Sequence, residues 1–159
     1  MADGKLTMVS KDAIAGVWGE CYATIDGTRY NIMTAIKFEA KYTKNKSKLP
    51  ILGRVNKGNK ATSAEGTGTM TMYYNSSVMR ELLEKYQNTG EDIYFDIEVA
   101  NEDPNSAAGR QSVLIQGCNL DGGVIGQFDA NGEYLEEEVS FTFEKWILNK
   151  KFNILDGMM

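Results

Sequence analysis

Histidine is absent from these 159 residues. Its absence removes the commonest general base, the usual zinc ligand and the Ser-His-Asp route to nucleophilic catalysis together. Cysteine occurs only twice, at Cys21 and Cys118, far apart and without CxxC spacing. The pair reads as buried thiols of a reducing compartment, with a single disulfide left open as the alternative. No apolar run approaches the length of a membrane span, so no membrane insertion is expected of this chain. Met1-Ala2-Asp3-Gly4-Lys5 lacks the apolar region of a signal peptide, which places synthesis and assembly in a cytoplasm. Proline is equally scarce, at two residues against sixteen glycines. That balance suits strands joined by tight turns more than a helical bundle.

What is present is a globular composition, 42% hydrophobic and 25% charged, long enough for one domain with a real core. The net charge of −5 is unevenly spread. From Lys44 to Lys60 the chain carries Lys44, Lys46, Lys48, Arg54, Lys57 and Lys60 with no acid, so this segment holds +6 and the remainder −11. A basic arm and an acidic body on copies of one protein attract each other. The overall balance argues against a general nucleic-acid binder. In the middle of the arm Leu49, Ile51 and Leu52 sit beside Pro50 and Gly53, an apolar knob among cations. The segment 44–62 is therefore expected to protrude as a long docking loop between two strands.

Val17–Ile25 reads as a strand that turns at Asp26-Gly27 into Thr28–Met33. Residues 1–14 are expected to form a loose arm. Ile36, Phe38, Ala40 and Tyr42 alternate with Lys37, Glu39 and Lys41, and Gly68, Met70, Met72 and Tyr74 alternate with Thr67, Thr69 and Thr71. Each strand so patterned has one face for the core and one for water. Ser77 is placed to cap a helix over Val78–Asn88 whose stripe is Met79, Leu82, Leu83 and Tyr86, with a Glu81–Lys85 pair outside and a stop at Gly90. Further strands are expected around Ile93–Val99, Ser112–Leu120, Val124–Phe128 and Val139–Phe143, the last three separated by Asp121-Gly122-Gly123 and Asn131-Gly132 turns. The tail 148–159 keeps Phe152, Ile154 and Leu155, as a second docking arm would. Seven or eight strands and one helix make the fold mainly β, an antiparallel barrel or sandwich with one flanking helix and a long hairpin arm, in a single domain over 1–159.

Candidate chemistry is thin. Gly66-Thr-Gly-Thr lacks the lysine and the strand-to-helix setting of a phosphate loop and reads as strand with close backbone approach. Glu102, Asp103 and Asn105 lack EF-hand spacing. Asp96 and Glu98 share a strand face without a cleft to separate their acidities, which leaves a histidine-free glycosidase-like enzyme open but unsupported. No catalytic residue, metal site or cofactor is assigned.

Phe38-Glu-Ala, Lys44-Asn-Lys-Ser, Ile51-Leu-Gly-Arg, Gly66-Thr-Gly-Thr and Leu135-Glu-Glu-Glu-Val-Ser-Phe-Thr-Phe-Glu, in this order and spacing, resemble the tail-tube proteins of contractile phages. The likeness is strongest to the tube proteins of PBSX-like defective prophages and R-type tail-like bacteriocins. It covers Thr34–Tyr74 and Leu135–Trp146 closely and the elements between them loosely; the N-terminal strand pair and the C-terminal tail read as departures. The resemblance implies a hexameric ring whose strands join edge to edge around a lumen, with rings stacked into a tube inside a sheath. It implies as partners further copies of this chain, a sheath protein, a baseplate or tube initiator and a tape-measure protein, with DNA as passing cargo in a true phage. The setting would be the bacterial host cytoplasm during assembly and then the virion tail or released particle. Within that picture Lys37, Glu39, Lys41, Thr67, Thr69 and Thr71 are the expected lumen face. Lys46, Leu49, Ile51, Leu52, Gly53 and Arg54 are the expected inter-ring contacts, steered toward Glu136, Glu137 and Glu138 as counter-charge. The alternatives are a monomeric β-barrel that binds a small ligand in its interior, and the tube protein of a type VI-like secretion system.

Overall fold

The computed structural model describes residues 7–155. Two short 3-10 turns, Ser10–Asp12 and Gly16–Trp18, lead into β1 (Gly19–Ile25) and β2 (Thr28–Asn31). β3 (Ala35–Leu49) and β4 (Gly58–Tyr73) form a long hairpin, followed by helix α1 (Val78–Thr89) and strand β5 (Phe95–Glu102). β6 (Arg110–Gly122), β7 (Glu136–Phe143) and β8 (Lys145–Lys150) complete the chain. All pairings are antiparallel, in the order β2-β1-β5-β6-β7-β4-β3, with β8 also on β6.

One strand folds this sheet into two layers. The first part of β6 lies between β5 and β8, while Asn119–Gly122 pairs with β7. The switch falls at Gly117, whose φ of +71° suits glycine and where an added Cβ would meet the Glu144 side chain at 3.1 Å. Glu144 is the bend between β7 and β8, and its amide donates to the Gln116 carbonyl (3.1 Å). Cys21, Ile97 and Ile115 from one layer thereby meet Met70, Val139 and Phe141 from the other in a single core. Phe141 stacks on Phe38 with ring centroids 5.7 Å apart. Gly66 and Gly68 lie under the Phe143 and Phe141 rings, so that a Cβ on either would sit 2.3 Å from ring carbon. Close backbone approach is thus the role of the Gly-Thr-Gly-Thr run.

Several expectations change. Residues 44–49 and 58–62 are strand, so the arm is a paired hairpin whose loop shrinks to 50–57. Ile36 is not a core residue: the register slips between Ala35 and Lys37, the bulge throws Ile36 outward, and it is 47% exposed. Tyr42 is exposed beside Trp146 (5.9 Å between ring centroids), and Tyr86 projects to solvent. Val17 falls in a 3-10 turn and strand structure starts at Gly19. Val124–Phe128 forms no strand. Ser77 makes no capping bond; the Val78 amide donates to Ser76 Oγ at 3.5 Å, and α1 closes with the Gly90 amide on the Tyr86 carbonyl (2.8 Å). Lys85 pairs with Glu91 (3.6 Å) rather than with Glu81. Asp26 and Gly27 do form the expected hairpin turn, both at positive φ (50° and 80°).

The 103–109 loop is less solvated than its composition implies. Asp103 is buried and accepts the amides of Ala15 (3.0 Å) and Asn105 (2.9 Å). Asp12 accepts from Ser106 Oγ (2.9 Å) and from the Ala107 amide (3.0 Å), so the described part of the N-terminal arm is docked onto this loop. The Asn153 amide donates to the Ala108 carbonyl (2.6 Å), which brings the C-terminal segment to the same loop. The rest of the two expected arms, 1–6 and 156–159, lies outside the described residues.

Candidate functional site: an open sheet and its projecting hairpin

The surface of interest is the half-sheet of β6, β7, β4 and β3. Its outer face is set by period-two register. Lys41 faces Thr67 and Thr142, Glu39 faces Thr69 and Ser140, and Lys37 faces Thr71 and Glu138. The six lumen candidates therefore share one face, joined there by Ser140, Thr142 and Glu138. Threonine supplies sheet propensity there without exposing a large apolar group. Lys41 Nζ lies 3.0 Å from Glu39 Oε1, and this lysine, first as hydrogen-bond donor and then as charge, holds the Glu39 carboxyl below its ordinary range.

The acidic triplet divides by the same rule. Glu136 and Glu138 lie on this face, but Glu137 turns inward, is 3% exposed and pairs with Arg80 of α1. It is thus no counter-charge for a distant arm, because its register parity with Val139 and Phe141 commits it to the interior. Arg80 also donates to the Ser76 carbonyl and lies over the Tyr74 ring (4.2 Å to its centroid). Glu137 Oε1 has no hydrogen-bond partner among the described residues.

Beyond Gly66 the β3–β4 hairpin leaves the body, since β7 pairs only with Gly66–Tyr73. Eight residues of β4, Gly58–Glu65, continue with β3 alone as partner, a projection of about 25 Å. A bulge at Thr62, whose hydroxyl donates to the Asn45 carbonyl (3.2 Å), twists the hairpin midway. At the tip Gly53 stands at φ +81° and the Arg54 amide donates to the Ile51 carbonyl (3.2 Å). Leu52 and Val55 are fully exposed, and Leu49 and Ile51 partly so, with Lys46 and Arg54 also in solvent. The sequence reading missed Val55, which lies four residues beyond Ile51 on the far limb of the turn. An isolated two-stranded hairpin is marginal in water, and this one carries its apolar side chains at the exposed tip.

Nothing in the geometry of the described residues resembles a reaction centre. The interior is filled by Met70, Ile97, Cys118, Val139 and Phe141. A groove of about 650 Å³ between β1 and the start of β3 opens to solvent. Burial pushes the Cys21 and Cys118 thiols up to about 12, which leaves both protonated and inert.

The fold is one seen in tube subunits of phage tails and tail-like injection systems. A chain in the anti-feeding prophage baseplate superposes with a TM-score of 0.63 at 9% identity, over 81% of this chain and 90% of that one. A chain of the SPP1 tail tube superposes at 0.62 with 12% identity, over 89% and 81%. The sequence is 36% identical over 149 residues to the phage-like element PBSX protein XkdM of Bacillus subtilis strain 168, covering 93% of this chain and 98% of that protein. Residues 6–148 match the phage tail tube protein family, and the chain belongs to that family. It is a structural subunit of a tail tube and not an enzyme. The N-terminal strand pair, read from the sequence as a departure, lies inside the matched span.

Proposed function

We propose that six copies of this chain close into a hollow ring, and that rings stack into the inner tube of a contractile tail or headless tail-like particle. The observation that carries this reading is the direction of four strands. β6, β7, β4 and β3 alternate in direction across the half-sheet. The β3 edge of one copy therefore meets the β6 edge of the next in the antiparallel sense, and rotation about a ring axis closes the sheet without leaving an edge. Six-fold order has a parallel in the anti-feeding prophage baseplate, which was solved with that symmetry.

The Lys37, Glu39, Lys41, Thr67, Thr69 and Thr71 face lines the lumen, polar and without large apolar groups to hold a passing cargo. The hairpin stacks the rings. Its tip leaves one end of β4, while Glu136 pairs with Tyr73 at the other end, so head-to-tail stacking brings the cations toward Glu136 and Glu138 of the next ring. Burial of the fully exposed Leu52 and Val55 contributes about 1.5–3 kcal/mol each, and that of the partly covered Leu49 and Ile51 correspondingly less. The outer partners are a sheath protein, a baseplate initiator and a tape-measure protein; a chain of similar fold occurs in the sheath-tube complex of an extracellular contractile injection system. DNA is the cargo only where a head is attached. Assembly takes place in the bacterial cytoplasm, before the particle is released.

Negative-stain microscopy of the purified protein over a concentration series, with a matching sedimentation profile, tests the reading. Hollow rings or tubes of uniform diameter are expected. Monomers at every concentration that also fail to join a baseplate would overturn it.

A further inference from the structure

The two edges that the ring must join carry unexplained apolar side chains. On one side lie Met33 (79% exposed) and the bulged Ile36 (47%), at the start of the unpaired outer edge of β3. On the other lie Ile125 (80%) and Phe128 (91%), in the segment that follows β6. This segment is irregular yet positioned. Gln127 Nε2 donates to the Glu136 carbonyl (2.6 Å), and the Tyr74 hydroxyl donates to the Ile125 carbonyl (3.4 Å). A Cβ on Gly123 would reach Val139 at 3.3 Å. Residues 123–128 therefore run along the stretch of β7 that β6 leaves unpaired.

Charge follows the same division. β3 holds Lys37, Lys41, Lys44, Lys46 and Lys48 against Glu39 alone, whereas Asn119–Glu144 contains no lysine or arginine. Asp121 and Asp129 flank the exposed segment. The occupant that matches an edge strand with a cationic, apolar start is thus a second copy of this chain.

We infer that Asn119–Phe128 of one copy is the receiving edge for β3 of its neighbour, with Ile125 and Phe128 packing against that neighbour's Met33 and Ile36 and 124–128 ordering as a strand on assembly. This rests on the ring reading and names its lateral contact. The strand expected at Val124–Phe128 then describes the assembled state, because a neighbour's edge adds backbone partners on the side away from β7. The bulge at Ile36 has a function too: it removes an aliphatic side chain from the core and presents it at the joining edge.

Mixing two single-cysteine variants, Ile36→Cys and Ile125→Cys, which an antiparallel register places level with each other, and adding a short bismaleimide tests the contact. The native thiols Cys21 and Cys118 are buried and stay silent. Mixed tubes should give a cross-linked pair of chains on a denaturing gel, and each variant alone should give only single chains. Met33→Cys with Phe128→Cys, level in the same register, forms a second, independent pair. Intact mixed tubes with no adduct from either pair would overturn the contact and leave the ring standing. Wild-type protein that forms no ring under any condition would remove both.

Discussion

The Arg80–Glu137 pair offers the sharpest test of how the helix is fixed to the sheet. The Glu137 side chain is 2% exposed and the Arg80 side chain 19%. Replacing Arg80 with Met keeps a long apolar stem and removes the cation that pairs with this carboxylate. Breaking a buried pair from one side leaves an uncompensated charge and costs about 3–5 kcal/mol. With a urea m-value of about 2 kcal/mol/M, the unfolding midpoint should fall by about 2 M with unchanged slope. The double variant Arg80→Met/Glu137→Met removes both charges together. It should return to within about 1 kcal/mol of the parent or exceed it, since apolar replacement of a buried pair is often neutral or stabilising. Equilibrium urea unfolding followed by tryptophan fluorescence measures all four corners of the cycle. A single Arg80→Met variant that loses less than about 1 kcal/mol would refute the claim that this carboxylate depends on Arg80.

Gly68→Ala forces a methyl toward the Phe141 ring in a filled core, and thermal or urea unfolding should show a loss of about 1–3 kcal/mol. Leu52→Asp places a charge on a fully exposed side chain, so the monomer should keep its circular dichroism and melting point while tube elongation in the electron microscope is lost. Cys21 and Cys118 should resist a maleimide at pH 8 until denaturant is added. With thiol pKa values of about 12, the thiolate is about one part in ten thousand at that pH. The linkage sign is fixed by the same shift. Both values rise from the 9.0 of an unperturbed thiol, so the folded state keeps protons that the unfolded state loses, and stability should fall as pH climbs from 9 toward 12. A pH-dependent melting series reads it.

The sequence determined whatever depends on neighbours along the chain. Period-two patterning set the faces of β3, β4 and β7, because side-chain direction in a strand is a local property. The Asp26-Gly27 turn and the helix after Ser77 follow from residue-level preferences in the same way. The lack of histidine by itself closes off the common catalytic routes. The cationic, apolar-tipped hairpin is visible as an anomaly in composition.

Tertiary structure decided where local parity meets the rest of the molecule. Glu136, Glu137 and Glu138 are indistinguishable as a string, and only pairing with β4 sends the middle one inward to Arg80. One slipped residue between Ala35 and Lys37 reverses the fate of Ile36, and nothing in its alternating neighbours announces the slip. The arm proved to be strand because each half supplies the other's hydrogen bonds, a long-range pairing that its glycines and lysines conceal. Val124–Phe128 has strand-like residues and no strand, although it runs beside the open stretch of β7, and nothing in the residues themselves announces that difference.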